Sequence, residues 1–508
     1  MFSDSDLAQI KHHGLTSDKV LQQIDAFRQG YPPANLQAPA LEGSGIMKLT
    51  ADEKSKAIND YEGKLGGLSI VKFVPASGAA TRMFKKLFGF VADYKGTDQD
   101  YEELIADQGK GTIFEFFKRI EDFAFYQQLS AKFKSLHGKS LQEAQISREY
   151  VAIIRALLEA DGLDYGALPK GLLSFHKEGD MVRTPVEEHI VEGCQYAKQS
   201  NKAVSIHFTV SPEHMDAFKS HVEEIRPTYE STFDCKLVIS YSVQNQGTDT
   251  IAVTLDNEPF RNDDGTLLFR PAGHGALLEN LNAIDADVVF LKNIDNIVPD
   301  RLKADTIEYK KVIGGILLQL QERIFGYLAK MQDMTDAELQ VCAQFIEDHL
   351  GWRFASEWSK SDLVKVLNRP IRVCGVVKSD GDPGGGPFWV QGSDGNTSLQ
   401  IVETAQINLE DAGQQKIFSS ATHFNPVDVV CSLRDFEGQP FDLMQYYDPL
   451  AGFVTEKSKD GKALKAQELP GLWNGSMAHW NTIFVEVPVI TFNPVKAVND
   501  LLKEEHQG

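Results

Sequence analysis

Residues 68–90 read LSIVKFVPASGAATRMFKKLFGF, and this stretch decides the fold class. Its first part, residues 68–76, is a continuous apolar run that ends in small residues, which is typical of a buried parallel strand. Its second part, residues 77–90, joins small residues to a helical pattern and predicts a turn that opens into a helix. A strand that leads directly into a helix is the repeating unit of α/β proteins.

The same alternation of strands and helices continues between residues 172 and 297. Strand-like runs occur at NKAVSIHFTV, CKLVISYSV, TIAVTL and ADVVFLKNI, and helical patterns occur at TPVEEHIVEGCQYAK and PEHMDAFKSHVEEI. Thr184 and Pro185 stand where a helix N-cap and the first helical residue are expected. We therefore expect an α/β fold of three layers with a mixed, mainly parallel sheet.

The chain divides into four parts on these patterns. Residues 1–66 predict a helical N-terminal segment, in which Thr50 and Glu53 form a capping-box pattern. Residues 67–300 form the α/β core, with a helical insertion at about 92–165. Residues 301–367 are helical again, and residues 368–508 form a strand-rich part that completes the core.

The composition limits the classes of function that are possible for this protein. Of the 508 residues, 42% are apolar and 24% are charged, as in a folded protein. The 51 lysines and arginines against 72 aspartates and glutamates give a net charge of −21. This balance excludes a non-specific nucleic-acid binder and a membrane-surface protein, because both need a basic face. Small phosphorylated ligands stay open, since they need only a few local cations or a bound metal.

The N-terminus and the cysteines indicate the compartment. MFSDSDLAQIKHHG contains neither an apolar core of signal-peptide length nor a cleavage-site pattern, and no run of about 18 apolar residues predicts a membrane span. The five cysteines are scattered and never in C-x-x-C spacing, so we expect buried free thiols rather than disulfides or a zinc site. These features predict a cytoplasmic protein.

A loop of small residues follows the first strand. Small residues let backbone N–H groups approach a phosphate, and the next helix presents its N-terminus to the charge. Arg82 would pair with phosphate oxygens. A tight strand-to-helix turn is the alternative explanation, and no G-x-x-x-x-G-K-[ST] motif of a P-loop occurs. The residues of this loop are Ser77, Gly78, Ala79, Ala80 and Thr81.

Two lysines follow prolines on stiff loops. Lys170 lies between Pro169 and Gly171, and Lys496 follows the turn that contains Pro494. Rigid placement suits a point charge aimed at a phosphate. An exposed loop lysine is the alternative for Lys170, and nothing in the local sequence directs Lys496 into a site.

The remaining candidate site residues are a carboxylate and a histidine that lies between two glycines. The apolar strand that begins at Val288 ends in Asp295, and open α/β sheets bind ligands at the carboxyl ends of their strands. A single carboxylate there suits Mg²⁺, although a turn-forming aspartate explains it equally well. Gly273 and Gly275 flank His274, so the backbone can approach a flat ligand such as a base, unless His274 simply caps the next helix.

Taken in order, these segments resemble the nucleotidyltransferases that make nucleotide sugars, especially UDP-sugar pyrophosphorylases. The whole chain also resembles a bacterial family of about this length that is known only as a domain of unknown function. Six motifs carry the first resemblance: a G-G-x-G-T-R-M loop (similar to residues 77–83), a Pro-Lys loop (169–170), a P-x-G-N-G turn (271–275), a metal-binding Asp-Asn (295–296), a V-V-E element (401–403) and an F-x-P-V-K lysine (492–496).

The resemblance implies a GT-A-like, Rossmann-like fold and a Mg²⁺-dependent enzyme. Its expected partners are a nucleoside triphosphate, with UTP favoured, and a sugar 1-phosphate, which are joined with release of pyrophosphate. The implied roles are catalysis by Arg82, Lys170, Asp295 and Lys496, nucleotide binding by residues 77–81 and by Gly273, His274 and Gly275, sugar binding by Asn296 and Glu403, and Mg²⁺ binding by Asp295.

The chain departs from the family pattern at three positions. Ser77 and Ala80 replace loop glycines, and His274 replaces the usual asparagine, which affects the phosphate cradle and the choice of base. Two other functions therefore stay open. One is a glycosyltransferase that uses a nucleotide sugar, with Asp285 and Asp287 as a D-x-D metal pair that here precedes its strand. The other is a non-catalytic protein that binds a nucleotide sugar.

Overall fold

The structure is a computed structural model, and it describes residues 2–78, 80–271, 273–379, 384–424 and 428–508. The chain divides into two compact units, each assembled from separate segments. The first unit comprises Met1–Ile70, Val243–Leu291 and Lys310–Pro488. The second unit comprises Val71–Ser242, Lys292–Tyr309 and Val489–Gly508.

Helices and strands alternate along much of the chain. The helices in the described part are α1 (Asp4–His12), α2 (Ser17–Gln29), α3 (Ala51–Lys64), α4 (Lys85–Asp93), α5 (Asp98–Ala106), α6 (Ile113–Lys118), α7 (Tyr126–His137), α8 (Leu141–Ile146), α9 (Tyr150–Leu158), α10 (Pro185–Tyr196), α11 (Met215–Phe233), α12 (Leu278–Asn282), α13 (Lys303–Lys330), α14 (Asp336–His349), α15 (Lys360–Leu367) and α16 (Ala412–Ser419). The strands there are β1 (Leu36–Pro39), β2 (Leu41–Glu42), β3 (Gly45–Met47), β4 (Ile70–Pro75), β5 (His176–Glu178), β6 (Met181–Arg183), β7 (Ala203–Thr209), β8 (Lys236–Ser242), β9 (Thr250–Ile251), β10 (Phe269–Arg270), β11 (Val288–Leu291), β12 (Trp352–Arg353), β13 (Ile371–Val376), β14 (Gly386–Gln391), β15 (Thr397–Val402), β16 (Asp428–Ser432), β17 (Phe453–Lys459), β18 (Lys462–Glu468) and β19 (Asn481–Glu486).

The first unit contains a mixed sheet with the strand order β2-β3-β19-β13-β16-β11. The pairings from β2 to β13 are parallel, whereas β16 runs antiparallel to both β13 and β11. β13 and β16 are buried along their whole length, in agreement with their mostly apolar sequence. A separate antiparallel sheet has the order β1-β14-β15-β12, and β17 and β18 form a hairpin.

The second unit is built on three parallel strands in the order β4-β7-β8. Val74, Ile206 and Phe208 on β4 and β7 lie in one core with residues of the helices α10 and α11. α10 begins as the sequence predicts, because the Thr184 hydroxyl accepts the N–H of Glu187 and Pro185 is the first helical residue. Strand and helix are therefore held together by one apolar layer.

The predicted helical insertion forms a second core in this unit. Helices α4 to α9 enclose a cluster rich in phenylalanine, to which Phe84, Phe116 and Phe133 contribute fully buried rings. Aromatic side chains bury large areas, so they stabilise short helices that would be marginal alone. The same cluster includes Val495 and Leu501 of the C-terminal segment, which fixes that segment to the helices.

The expected α/β class with a mainly parallel sheet is confirmed by this architecture. The predicted capping box of Thr50 and Glu53 is present at the start of α3. TIAVTL differs from the prediction, because only Thr250 and Ile251 of it form a strand and they pair with the short β10. The five cysteines are free thiols, four of them buried. No helix in the described ranges has the length and apolar character needed to cross a bilayer.

Candidate functional site

Asp295 lies on the turn that follows β11, and its carboxylate is almost completely buried, with 9% of the side chain exposed. Lys170 Nζ donates to Asp295 Oδ2 at 2.9 Å. Lys496 Nζ approaches the same oxygen at 3.4 Å. Within the described ranges no group donates a hydrogen bond to Asp295 Oδ1. Two cations from distant parts of the sequence therefore share one oxygen and leave the other without a protein partner.

The charges around Asp295 decide its ionisation. Burial alone would raise the pKa of this carboxyl, but Lys170 and Lys496 outweigh that effect and hold the pKa below its ordinary value. Asp295 is therefore a carboxylate at neutral pH. The cluster has two positive charges and one negative charge, and its net positive sign contrasts with the acidic chain as a whole.

Lys170 is held rigidly by the backbone around it. Pro169 precedes a short 3₁₀ turn, Lys170–Leu172, in which the N–H of Leu172 bonds the Pro169 carbonyl at 3.0 Å. A Cβ on Gly171 would lie 2.6 Å from Cζ of Phe218 on α11, so glycine is required for this close packing. Lys170 Nζ also donates to the Val495 carbonyl at 2.6 Å. The lysine therefore joins its own loop to the C-terminal segment.

The C-terminal segment that carries Lys496 is anchored beside Asp295. The N–H of Val495 donates to the Asp295 carbonyl at 3.1 Å. The side-chain amide of Asn296 donates to the Thr491 carbonyl at 3.2 Å and accepts the N–H of Asn493 at 2.8 Å. These contacts fix the turn, yet the Lys496 side chain is 65% exposed. Lys496 therefore reaches Asp295 from the solvent side, whereas Lys170 is 14% exposed.

The loop of small residues lies next to both lysine segments. The N–H of Ala80 bonds the Leu168 carbonyl at 3.4 Å, and the Met83 carbonyl accepts the N–H of Val498 at 3.1 Å. Backbone hydrogen bonds thus connect the loop to the turn before Lys170 and to the segment of Lys496. The structure brings together the four segments that carry the expected catalytic residues.

The individual loop residues differ in exposure. Gly78, Thr81 and Arg82 are exposed, Ser77 is half-buried, and Ala79 lies outside the described residues. Arg82 has no hydrogen-bond or ion-pair partner among the residues that the structure describes, so its guanidinium is available to a ligand. Ala80 is fully buried in the helical cluster. Its methyl group therefore packs against the core, which gives a structural reason for alanine at this position.

A buried charge network lies beneath the Asp295 turn, and the sequence analysis missed it. Glu192 of α10 accepts Lys72 Nζ and Lys292 Nζ, each at 2.8 Å, and all three side chains are fully buried. Burial alone would raise the pKa of Glu192, but the two lysines hold it well below its ordinary value. His189 Nε2 lies 3.3 Å from the Ile294 carbonyl, directly before Asp295.

The signal for this network was present in the sequence. Glu188, His189 and Glu192 stand on one helix whose other residues are mostly apolar, and the structure buries all three. Charged residues are almost never fully buried unless they are paired. A single sequence does not reveal which basic residues pair with them, so the network was not predicted.

The other expected binding residues belong to the first unit. A Cβ on Gly275 would lie 2.6 Å from the Pro470 carbonyl, so close packing alone requires this glycine. Residues Gly273–Leu277 form a 3₁₀ turn, and the side chain of His274 lies outside the described part of the structure. Glu403 follows β15 and caps the turn Thr404–Gln406.

The alternative D-x-D pair is engaged within the protein. Asp285 and Asp287 both pair with Arg434, the second at 3.0 Å. Asp287 also accepts the N–H of Ser69 at 2.8 Å. These contacts give both carboxylates a structural role at the start of β11.

The comparisons with known proteins give the family of the chain. The family model described as "Domain of unknown function (DUF4301)" matches residues 3–507. The chain belongs to this family. The expectation that the whole chain is a member of a domain-of-unknown-function family is therefore confirmed. A search of curated proteins gives no match.

The chain is also similar, at low identity, to solved structures of two pyrophosphorylases. One is the uridine diphosphate N-acetylglucosamine pyrophosphorylase from Trypanosoma brucei, at 12% identity and a TM-score of 0.46, with 97% of this chain and 76% of that chain covered. Another is a UDP-glucose pyrophosphorylase mutant from Leishmania major bound to UDP-glucose, at 13% identity and a TM-score of 0.42, with 99% and 79% covered.

The residues around Asp295 suit a Mg²⁺ ion that takes a single ligand from the protein. Mg²⁺ binds through one or two carboxylates and completes its octahedron with substrate phosphates and water. Asp295 Oδ1 provides one such oxygen, because both lysines contact Oδ2. The described ranges contain no group of three or more His, Cys, Asp or Glu side chains that would form an all-protein metal cage. The donor set therefore fits a metal that arrives with a phosphate ligand.

Proposed function

We propose that this protein is a nucleotidyltransferase that joins a sugar 1-phosphate to a nucleoside triphosphate, with UTP as the expected triphosphate, and releases pyrophosphate. The observation that carries the proposal is the meeting of Lys170 and Lys496 on the buried carboxylate of Asp295, beside the segment of Arg82. Phosphoryl and nucleotidyl transfer depend on alignment and charge neutralisation more than on covalent catalysis by the protein. A rigid group of cations serves that need.

The reaction balances without a protein nucleophile. An oxygen of the sugar 1-phosphate forms a bond to the α-phosphorus, the bond from that phosphorus to the bridging oxygen of the β-phosphate breaks, and pyrophosphate leaves. Lys170 and Lys496 stabilise negative charge at the α-phosphate and the sugar phosphate. Arg82 binds the leaving pyrophosphate through its free guanidinium. The N–H groups of the loop at residues 77–81 contribute to binding the triphosphate.

Asp295 Oδ1 would hold the Mg²⁺, which neutralises phosphate charge when bound. Lys170 keeps Oδ2 occupied and keeps the carboxylate ionised. We further propose that residues 273–275 contact the base and that Asn296 and Glu403 lie on the sugar side. The amide of Asn296 already bonds the turn at residues 491–493, so its expected contribution is to position that turn.

The glycosyltransferase alternative is less favoured by the geometry. That class needs a free D-x-D pair for its metal, and Asp285 and Asp287 are both paired with Arg434. The non-catalytic binding protein predicts no turnover, so a measurement of catalytic activity distinguishes it from the proposed enzyme.

A pyrophosphate-release screen tests the proposal. Purified protein is incubated with Mg²⁺, each of the four nucleoside triphosphates and a panel of sugar 1-phosphates, and released pyrophosphate is measured with and without a chelator. We expect one nucleotide and one sugar class to give turnover that the chelator abolishes. Tight binding of a nucleotide sugar without pyrophosphate release across the panel would overturn the enzymatic proposal in favour of the binding protein.

A further inference from the structure

A cavity with two basic side chains lies in the first unit. Its volume is about 460 Å³, and it is lined by Val364, Lys365, Asn368, Arg369, Gln445, Tyr446 and His479. This volume is within the range of sites that hold small molecules. The cavity shares no residue with the site of the proposed function, and the inference below does not depend on that function.

The cavity opens at the amino ends of two neighbouring strands. Asn368 and Arg369 directly precede β13, and His479 directly precedes β19. These strands are parallel and in register, with Ile371 opposite Asn481. Open α/β sheets usually bind ligands at the carboxyl ends of their strands. The cavity therefore occupies the opposite edge of the sheet in its unit.

Arg369 is the central feature of the cavity. Its guanidinium stacks on the Trp352 ring at 4.6 Å from the ring centroid, and its Nε donates to the Lys365 carbonyl at 2.8 Å. In the described ranges no carboxylate forms an ion pair with Arg369, and no acceptor reaches its two terminal nitrogens. Asp394 attracts the guanidinium electrostatically without forming an ion pair with it. A partly buried guanidinium whose terminal nitrogens lack an acceptor in the described ranges is costly, and its planar fork of donors matches an oxyanion.

Lys365 adds a second basic side chain to the lining, and Asp362 pairs with it at 3.2 Å from outside the lining. Burial and the nearby Arg369 lower the pKa of His479, so this ring is neutral at pH 7. Among the described residues that line the cavity, the charged ones are therefore Arg369 and Lys365, and both are basic on a chain with a net charge of −21.

We propose that this cavity binds a phosphorylated small molecule, with its phosphate on Arg369 and Lys365. The stacking on Trp352 orients the guanidinium toward the phosphate. The cavity is thus a second ligand site, built on the edge of the sheet opposite to the usual ligand edge.

Calorimetric titration tests this inference. The probes are inorganic phosphate and glucose 6-phosphate, and the background is the Lys170→Ala protein, which weakens phosphate binding at the other site. In this background we expect Arg369→Gln to weaken binding of both probes at least about tenfold, because a charge-assisted hydrogen-bond pair is lost.

The control is Arg353→Gln in the same background. Arg353 stacks on Trp389 at 3.8 Å in the same unit and does not line the cavity, so its loss should leave binding unchanged. If Arg369→Gln fails to fold, the exposed Lys365→Ala variant decides, and it should weaken binding several-fold. Unchanged affinity for the probes in Arg369→Gln, or in Lys365→Ala where Arg369→Gln does not fold, would overturn the inference. The absence of binding of both probes in the Lys170→Ala background would also overturn it. None of these measurements uses turnover.

Discussion

At the scale of single residues, Asp295 owes its properties to the two lysines beside it. A carboxyl that is buried this deeply would resist ionisation in the absence of cations. Lys170 supplies the closer contact, at 2.9 Å, and is itself nearly enclosed. Lys496 is more exposed and more distant, so screening by solvent weakens its effect. Lys170 is therefore expected to dominate the ionisation of Asp295.

Replacing Lys170 by alanine should raise the pKa of Asp295 by about one unit or more, because an opposite charge at this distance lowers a carboxyl pKa by about 1–3 units. NMR titration of ¹³C-labelled aspartate carboxyls measures this directly. Lys202→Ala is the matched control, since Lys202 pairs with the exposed Asp234 in the same unit. An Asp295 signal that titrates at the same pH in both variants would contradict the account.

Part of the site could be predicted at this scale. Pro169-Lys170, Asp295 and Pro494-Val495-Lys496 were selected from short motifs. The structure brings both lysines within 3.4 Å of Asp295 Oδ2, although 125 and 201 positions separate them from Asp295. Their catalytic roles stay predictions. The partners of Asn296 could not be predicted, because hydrogen bonds across about 195 residues leave no local pattern.

At the scale of elements, α10 supports the Asp295 turn through buried charge. Glu192 binds Lys72 of β4 and Lys292 at the start of the turn, and His189 lies against the Ile294 carbonyl. Burial and the nearby Lys72 keep the pKa of His189 well below its ordinary value, so this ring is neutral. A network of this kind holds its members in one arrangement only while every charge has a partner.

Glu192→Gln should therefore destabilise the protein strongly. It leaves two buried ammonium groups without a carboxylate, and breaking a buried pair in this way costs about 3–5 kcal/mol. The free energy of unfolding in urea measures the loss. Glu223→Gln on α11 is the control, because Glu223 is an exposed partner of Arg226 and should change stability by less than about 0.5 kcal/mol. Equal stability of the two variants would be incompatible with a paired, buried Glu192.

The short turn at Lys170–Leu172 makes a separate prediction. Gly171→Ala places a methyl group 2.6 Å from Phe218, and overpacking of this kind costs about 1–3 kcal/mol. We expect lower stability and a displaced Lys170, measured as reduced turnover in the pyrophosphate-release assay. Gly326→Ala in α13 is the control, because no atom lies within 4 Å of the added Cβ, and it should be neutral or stabilising. Full activity and stability of Gly171→Ala would refute the packing argument.

The elements themselves were largely predictable. Strand-like runs identified β4, β7, β8 and β11, and capping residues identified the start of α3 and α10. The hairpin β17–β18 escaped prediction, because strand β17 alternates between exposed and half-buried residues without a clear apolar face. TIAVTL was predicted as one strand and forms only two strand residues, because its later residues turn back at Thr254.

At the scale of the whole molecule, two buried histidines make stability depend on pH. His207 stacks on Phe73 and bonds Ser240 and Ser242, and burial lowers its pKa to about 4. Burial and the neighbouring His176 lower the pKa of His506 to about 3. In the unfolded chain both rings titrate near 6.5. The unfolded state therefore binds more protons below pH 6.5.

Stability should accordingly be highest above pH 6.5 and fall as the pH decreases toward 4. Each histidine contributes a slope of up to about 1.4 kcal/mol per pH unit. Urea unfolding between pH 7.5 and 5 measures the slope, and His207→Asn should reduce it. His12→Asn, at an exposed position of α1, should leave it unchanged. A wild-type stability that is flat over this range would contradict the burial of neutral histidines.

The net charge of −21 describes the surface and not the sites. It directed attention away from polyanions, but it carries no information about local clusters. Lys170 and Lys496 around Asp295, and Arg369 with Lys365 in the other unit, are small positive regions on an acidic molecule. Such regions depend on which loops meet, so only the folded arrangement reveals them.

The most direct test of the central claim is the exchange of labelled pyrophosphate into nucleoside triphosphate in the presence of Mg²⁺ and a panel of nucleotide sugars. The account predicts exchange by the wild-type protein, a loss of at least about 10² in rate for Asp295→Asn, and no change for the control Asp234→Asn on the exposed Lys202–Asp234 pair. Absence of exchange by the wild-type protein across the panel, or a near-normal rate for Asp295→Asn, would contradict it.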